Sequence, residues 1–183
     1  MRIGVPRERK DGERRVGLVP DGVAWLAQAG HQVTIEQGAG ERAGFGDAAY
    51  AAAGAQIARD GATVFQCEFI VKVKEPQRFE WPLLVPGTTL CGFAQFGRDR
   101  DWLDAALAAR IGYIAYETVT DADGALPLLA PMSRIAGALA GTLLDGDLVA
   151  GLRQPRHAAG HKADAPLAVL ALARNADAHR VLP

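Results

Sequence analysis

Short β-branched runs alternate with alanine-rich amphipathic runs along this chain, and few architectures other than a parallel sheet flanked by helices accept that alternation. Strands are predicted at about residues 2–5, 32–37, 68–74, 88–94 and 112–117. Helices are predicted at about 20–29, 47–53, 60–66, 99–109 and 132–144. Gly30 ends the first helix, Pro20-Asp21 opens it, and Asp47 and Asp99 stand at N-cap positions. With 183 residues the chain can bury a full core. Its 49% hydrophobic content and formal charge of −1 leave no basic excess to attract nucleic acid or an anionic membrane. No signal-peptide pattern and no apolar run of membrane-spanning length is present, so a cytoplasmic protein is expected. Cys67 and Cys91 lie in apolar, strand-like surroundings and read as two buried free thiols.

The residues most suggestive of chemistry sit between the predicted elements. Pro6 stops the first strand, and residues 7–15 then carry eight charged side chains, too many to be buried together. Arg14 and Arg15 close this connection just before the apolar, strand-like run at 16–19. An arginine at the mouth of a strand is placed to grip a planar carboxylate with two parallel hydrogen bonds; a solvated charged loop is the alternative. Lys72 and Lys74, half of the four lysines, alternate with Val71 and Val73 and so are expected on one face of a strand that Glu75-Pro76 terminates. Lys74 would then stand at the carboxyl end of that strand, where ligands of open α/β sheets gather. Two solvated lysines on an edge strand are the competing account. His157 and His161 flank Gly160 in a loop-like stretch, and no metal site is expected there.

These pieces follow one another in a known order. The chain reads Gly4-Val5-Pro6-Arg7-Glu8, then Glu13-Arg14-Arg15-Val16-Gly17-Leu18-Val19-Pro20, then Gly38-Ala39-Gly40 with Gly44-Phe45 and Asp47. Val71 to Pro76, Ala115-Tyr116-Glu117-Thr118 and Leu126 to Ser133 follow. Across residues 1 to 145 the series resembles the N-terminal, substrate-binding domain of the alanine dehydrogenase and pyridine nucleotide transhydrogenase family. The resemblance implies that Arg15 and Lys74 clamp a substrate carboxylate, that Tyr116 and Glu117 belong to the same site, and that Glu117 orients Arg15 or Lys74. It also places Met132-Ser133 beside the nicotinamide in relatives. At the family's catalytic histidine this chain has Gln95, within Cys91-Gly92-Phe93-Ala94-Gln95-Phe96-Gly97. Glutamine orients a carbonyl by hydrogen bonding but does not titrate near neutral pH, and the transhydrogenase branch also lacks the histidine.

From Gly151 the character changes: a basic, loop-like stretch precedes a last apolar run at 165–172. A Gly-x-Gly-x-x-Gly turn, whose glycines let the backbone approach a pyrophosphate, is expected at that point in relatives. Here Leu172-Ala173-Arg174-Asn175-Ala176-Asp177 contains no glycine. The tail reads either as a remnant of the nucleotide domain's first strand or as a returning C-terminal helix, and neither provides a cofactor site. The sequence thus predicts one α/β domain over 1–150, three-layered, flavodoxin- or Rossmann-like, with a mostly parallel sheet and helices on both faces, and a tail over 151–183. Its expected ligand is a small amino or keto carboxylate, with Lys74 and Gln95 as candidate catalytic groups, and with no nicotinamide cofactor and no metal. Non-redox chemistry of isomerase, lyase or cyclase type is one expectation; a non-catalytic ligand-binding module, or a subunit completing a partner's site, is the other. Small residues at Ala136, Ala138, Ala140 and Gly141 permit close helix packing, and the resemblance, which puts this region near subunit contacts in relatives, implies a homodimer.

Overall fold

The computed structural model describes residues 1–144, with side chains to Gly137; the boundary predicted near 150 and the tail lie outside the described residues. Met1–Leu126 forms one compact unit. Its strands are β1 (Arg2–Val5), β2 (Gln32–Glu36), β3 (Gln56–Ala58), β4 (Phe69–Lys74), β5 (Thr89–Phe93) and β6 (Gly112–Ala115). Its helices are α1 (Pro20–Gln28), α2 (Asp47–Ala52), α3 (Gly61–Val64) and α4 (Arg100–Ala109), with 3-10 turns at Glu41–Ala43, Arg78–Leu83 and Tyr116–Thr118. Helix α5 (Leu129–Leu144) follows in sequence. Among the described residues, no helix is long and apolar enough to cross a membrane.

The six strands order as β3-β2-β1-β4-β5-β6, and every neighbouring pair is parallel. The strand order runs outward in both directions from the β1–β4 pair. Right-handed crossovers therefore put α1 and α4 on opposite faces of the sheet. They also leave a crevice beyond the carboxyl ends of β1 and β4, the topological switch point. The five predicted strands are all present. β3 escapes a periodicity reading because three residues are too few to show alternation. The run 16–19 forms no strand; it leads directly into α1, with Leu18 buried and its carbonyl accepting the Tyr50 hydroxyl at 2.9 Å.

Side-chain caps open two of the helices α1–α4. Asp99 accepts the Trp102 N–H at 3.0 Å and Asp60 that of Thr63 at 2.8 Å. Asp47 does not cap. Gly46 precedes the helix, and the Asp47 carboxylate instead accepts the Gly38 N–H at 2.8 Å, tying α2 to the turn after β2. Trp102 is fully buried and joins Trp81, Phe96 and Tyr113 in ring contacts of 5.1–6.0 Å. That cluster fixes α4 and the 78–83 turn beneath the carboxyl end of β5.

Two departures from regular geometry shape the switch point. The β4–β5 register shifts between Val71 and Lys74: Val71 opposes Cys91, yet Lys74 opposes Phe93. One extra residue on β4 bulges and turns Lys74 away from the face of Lys72, so the two lysines do not share a face as strict alternation predicts. Lys72 is fully buried and reaches Glu80 Oε1 at 3.3 Å, the Arg7 carbonyl at 3.3 Å and Glu8 Oε2 at 3.8 Å. Lys74 lies instead over the Phe93 ring, 5.9 Å from its centroid. The second departure is Gly17, where a Cβ would meet the Val71 carbonyl oxygen at 2.5 Å. Only glycine lets the returning 13–17 segment lie this close to β4.

Breaking a buried ion pair by removing one partner costs about 3–5 kcal/mol, because it strands a buried charge. Lys72→Met keeps much of the side-chain volume but leaves Glu8 and Glu80 without their ammonium. Urea denaturation should show a loss of about 3–5 kcal/mol. A loss below about 1 kcal/mol, the range of surface pairs, would show that Lys72 does not organise this edge.

Candidate carboxylate site at the carboxyl edge of the sheet

The 7–15 connection is knitted onto the strand ends by its own charges. Two of its glutamates are buried, Glu8 at 7% and Glu13 at 8% exposure, contrary to the expectation of a wholly solvated run. Glu8 Oε1 accepts the Val73 N–H at 2.6 Å and Oε2 that of Lys74 at 3.2 Å. A single side chain following β1 thus satisfies two backbone donors of the β4 bulge. Burial pushes the Glu8 carboxyl above its ordinary range, opposed by the Lys72 charge and by the two backbone bonds. Farther out, Arg9 pairs with Glu36 at the end of β2 and Lys10 with Glu75 after β4, each at 2.5 Å. Glu36 also accepts the Arg7 N–H at 2.8 Å.

Arg15 is held by Glu13. Its Nε donates to Oε1 at 2.8 Å and its Nη2 to Oε2 at 2.6 Å, while its backbone N–H reaches Oε1 at 2.9 Å. This fork fixes the plane of the guanidinium. The hydrogen bonds from Arg15 lower the Glu13 pKa to about 2, against the opposing effect of burial, and the Lys74 charge lowers it further. Arg15 and Lys74 thus act on the same carboxylate. A cavity of about 50 Å³ opens beside Arg15, with Arg7, Glu8 and Glu13 also in its wall; Lys74 is not among its lining residues.

Gln95 follows β5 with φ at 51°, in the left-handed region that a glutamine seldom adopts. Glu117 holds it there. Its carboxylate accepts the Gln95 N–H at 2.8 Å and the Ala94 N–H at 3.0 and 3.1 Å, while the Gln95 carbonyl accepts the N–H groups of Arg98 and Asp99. Glu117 is therefore committed to the β5 turn, not to orienting Arg15 or Lys74 as the resemblance implies. These bonds hold the strained backbone of the turn in place.

Tyr116 packs edge-on against Phe93 at 5.5 Å, and its hydroxyl meets Cys91 Sγ at 3.4 Å. Burial drives the Tyr116 phenol well above its ordinary range and the Cys91 thiol up to about 12. Tyr116 thus supports the ring of Phe93, over which Lys74 lies. Cys67 and Cys91 are both buried free thiols. Among the described residues, no group of three or more His, Cys, Asp or Glu is arranged to hold a metal. His157, His161 and the glycine-free run 172–177 lie outside the described residues.

Sequence reading alone overlooks Glu8 and Glu13 as the organisers of the site. A hint was available: the motif places each glutamate one or two residues from a cation, at the spacing of a loop that satisfies its own charges.

Comparison with known proteins agrees with this architecture. Residues 4–136 match the family model described as "Alanine dehydrogenase/PNT, N-terminal domain". The alanine dehydrogenase of Mycobacterium tuberculosis (strain ATCC 25618 / H37Rv) is 47% identical over 141 residues, which is 76% of this chain and 38% of that one. The chain thus spans about two-fifths of the length of the curated relative it matches. Among solved structures, an L-alanine dehydrogenase superposes with a TM-score of 0.75 at 42% identity, covering 78% of this chain and 40% of that one. A transhydrogenase from Sinorhizobium meliloti shares the fold, with a TM-score of 0.64 at 23% identity over 67% of this chain and 35% of that one. The parallel sheet, the switch-point loop and the 4–136 match together make this chain a member of the alanine dehydrogenase/PNT family, carrying that family's N-terminal domain.

Proposed function

We propose that this domain binds a small amino or keto carboxylate at the switch point, with Arg15 and Lys74 as the two cations that receive the carboxylate. The observation that carries the reading is the fork by which Glu13 fixes the Arg15 guanidinium, with Glu8 of the same connection accepting the Lys74 N–H at the end of β4. Glu13 would be the positioning residue of this clamp, setting the plane of the guanidinium. Gln95, in the turn after β5, would hydrogen-bond the carbonyl or amino group next to the carboxylate.

Alanine dehydrogenation is the named activity of the longer relatives; what this chain takes from it, in our reading, is carboxylate binding. Gln95 supplies an amide where a proton relay would need a titrating group. In our reading the chemistry proposed here is non-redox, of isomerase, lyase or cyclase type, with Lys74 as acid/base or electrostatic stabiliser. The second reading, a ligand-binding or regulatory module without turnover, is favoured by Cys91 and Tyr116, whose protons burial holds far above neutral pH.

Charge-assisted contacts of this kind are worth about 1.5–3 kcal/mol each. Calorimetric titration with pyruvate or L-alanine should therefore show affinity falling about tenfold or more in Arg15→Ala and in Lys74→Ala, with circular dichroism confirming that each variant is folded at the titration temperature. Arg15→Lys should also weaken binding, since an ammonium cannot reproduce the planar fork. Variants that bind as the wild type does would refute the clamp.

The Glu13 pairing makes a separate prediction about acid stability. A carboxyl whose folded pKa lies below its unfolded value stabilises the fold above the unfolded pKa. That stability disappears as pH falls from about 4.5 towards about 2. The wild type should lose more stability between pH 5 and pH 3 than Glu13→Gln does, as measured by urea denaturation. Equal losses would mean that the Glu13–Arg15 fork does not form in solution.

A further inference from the structure

We infer that the bound carboxylate carries a second acidic group and that Arg14 and Arg42 receive it, so that the ligand is a short dicarboxylic acid. The inference rests on the carboxylate-binding reading above and extends it outward from Arg15. The cavity beside Arg15, about 50 Å³, is well below the range of about 300–1,000 Å³ usual for small-molecule sites, so a ligand seated there extends beyond it. The rest of any ligand must lie elsewhere. A second space of about 380 Å³, within the usual range for small-molecule sites, is lined by Gly12, Glu13, Arg14 and Arg42. Glu13 and Arg42 line both spaces, so the two adjoin.

The charge balance of the outer space is one-sided. Its one acidic residue, Glu13, already has both oxygens bonded to Arg15. Four cations along this edge have found carboxylates: Arg9 on Glu36, Lys10 on Glu75, Arg15 on Glu13 and Lys72 on Glu80. Arg14 and Arg42 have not. Among the described residues neither pairs with a carboxylate within 4 Å, and the Arg42 guanidinium makes one long bond, 3.4 Å to the Glu13 carbonyl. Glu41 lines the inner cavity but not the outer one, with its carboxylate against Gly38. Two guanidiniums facing a space of ligand size are suited to the bidentate grip of a second carboxylate.

The test compares two five-carbon acids that differ only at the far end, 2-oxoglutarate and 2-oxopentanoate, titrated calorimetrically into the full 183-residue chain. The wild type should bind the dicarboxylate about tenfold more tightly or better, the worth of one charge-assisted contact. In Arg42→Ala and in Arg14→Ala the ratio of the two affinities should fall to about threefold or less. Both arginines lie on surface segments, and an unchanged circular-dichroism melt confirms that each variant is folded. Equal affinity for the two acids in the wild type, or a preference that survives both substitutions, overturns the dicarboxylate inference and leaves the Arg15–Lys74 clamp standing. Failure of both acids to bind overturns the clamp and this inference together.

Discussion

Lys72 is an ammonium with no exposure to solvent, and the carboxyl edge of the sheet is arranged around neutralising it. Burying a charge is tolerable only with a counter-ion and hydrogen bonds in place. Glu80 supplies one partner from the turn after β4, and the Arg7 carbonyl and Glu8 supply others from the connection after β1. Because those groups come from opposite sides of the β1–β4 seam, satisfying Lys72 fixes the position of residues 7 and 8 over the strand ends. Glu8 then ties off the bulge by accepting the N–H groups of Val73 and Lys74. The bulge in turn points Lys74 to the other side, towards Phe93. The candidate ligand lysine thus owes its direction to the buried one.

The same loop brings Arg15 back to that seam. Gly17 permits the close return against Val71, and Glu13 sets the guanidinium plane. On the far side, Glu117 braces the turn after β5, and the Trp102 cluster supports it from below. The result is an edge in which several acidic side chains serve as scaffolding for cations and for backbone N–H groups. Preorganisation of this sort would spare the proposed ligand the cost of ordering a long charged loop.

Much of this could be read in the sequence. Strand and helix placement followed from alternation of β-branched and alanine-rich runs, and the carboxyl-edge location of Lys74 followed from Glu75-Pro76 ending its strand. Three things could not be read there. The bulge inverts Lys74 relative to Lys72, and a period of two has no means of announcing an inserted residue. Charged residues are expected outside, so Glu8 and Glu13 look solvated until their partners from β4 and from Arg15 are known. Glu117 sits beside Tyr116 in sequence, yet its partners are the N–H groups of Ala94 and Gln95, twenty-two and more residues away. Long-range partners are what local patterns do not encode.

The central claim is that the β1–β4 switch point is the carboxylate site, and amide and side-chain NMR on the isotopically labelled chain tests it most directly. Adding pyruvate should shift the Arg15 Nε–H resonance and the backbone amides of Val73, Lys74 and Gln95 in a single saturable process. These groups surround the seam, while the strand starts at Arg2, Gln32 and Thr89 lie at the other edge of the sheet. Shifts confined to those strand starts, or no saturable shift at Arg15 and Lys74, would contradict the account.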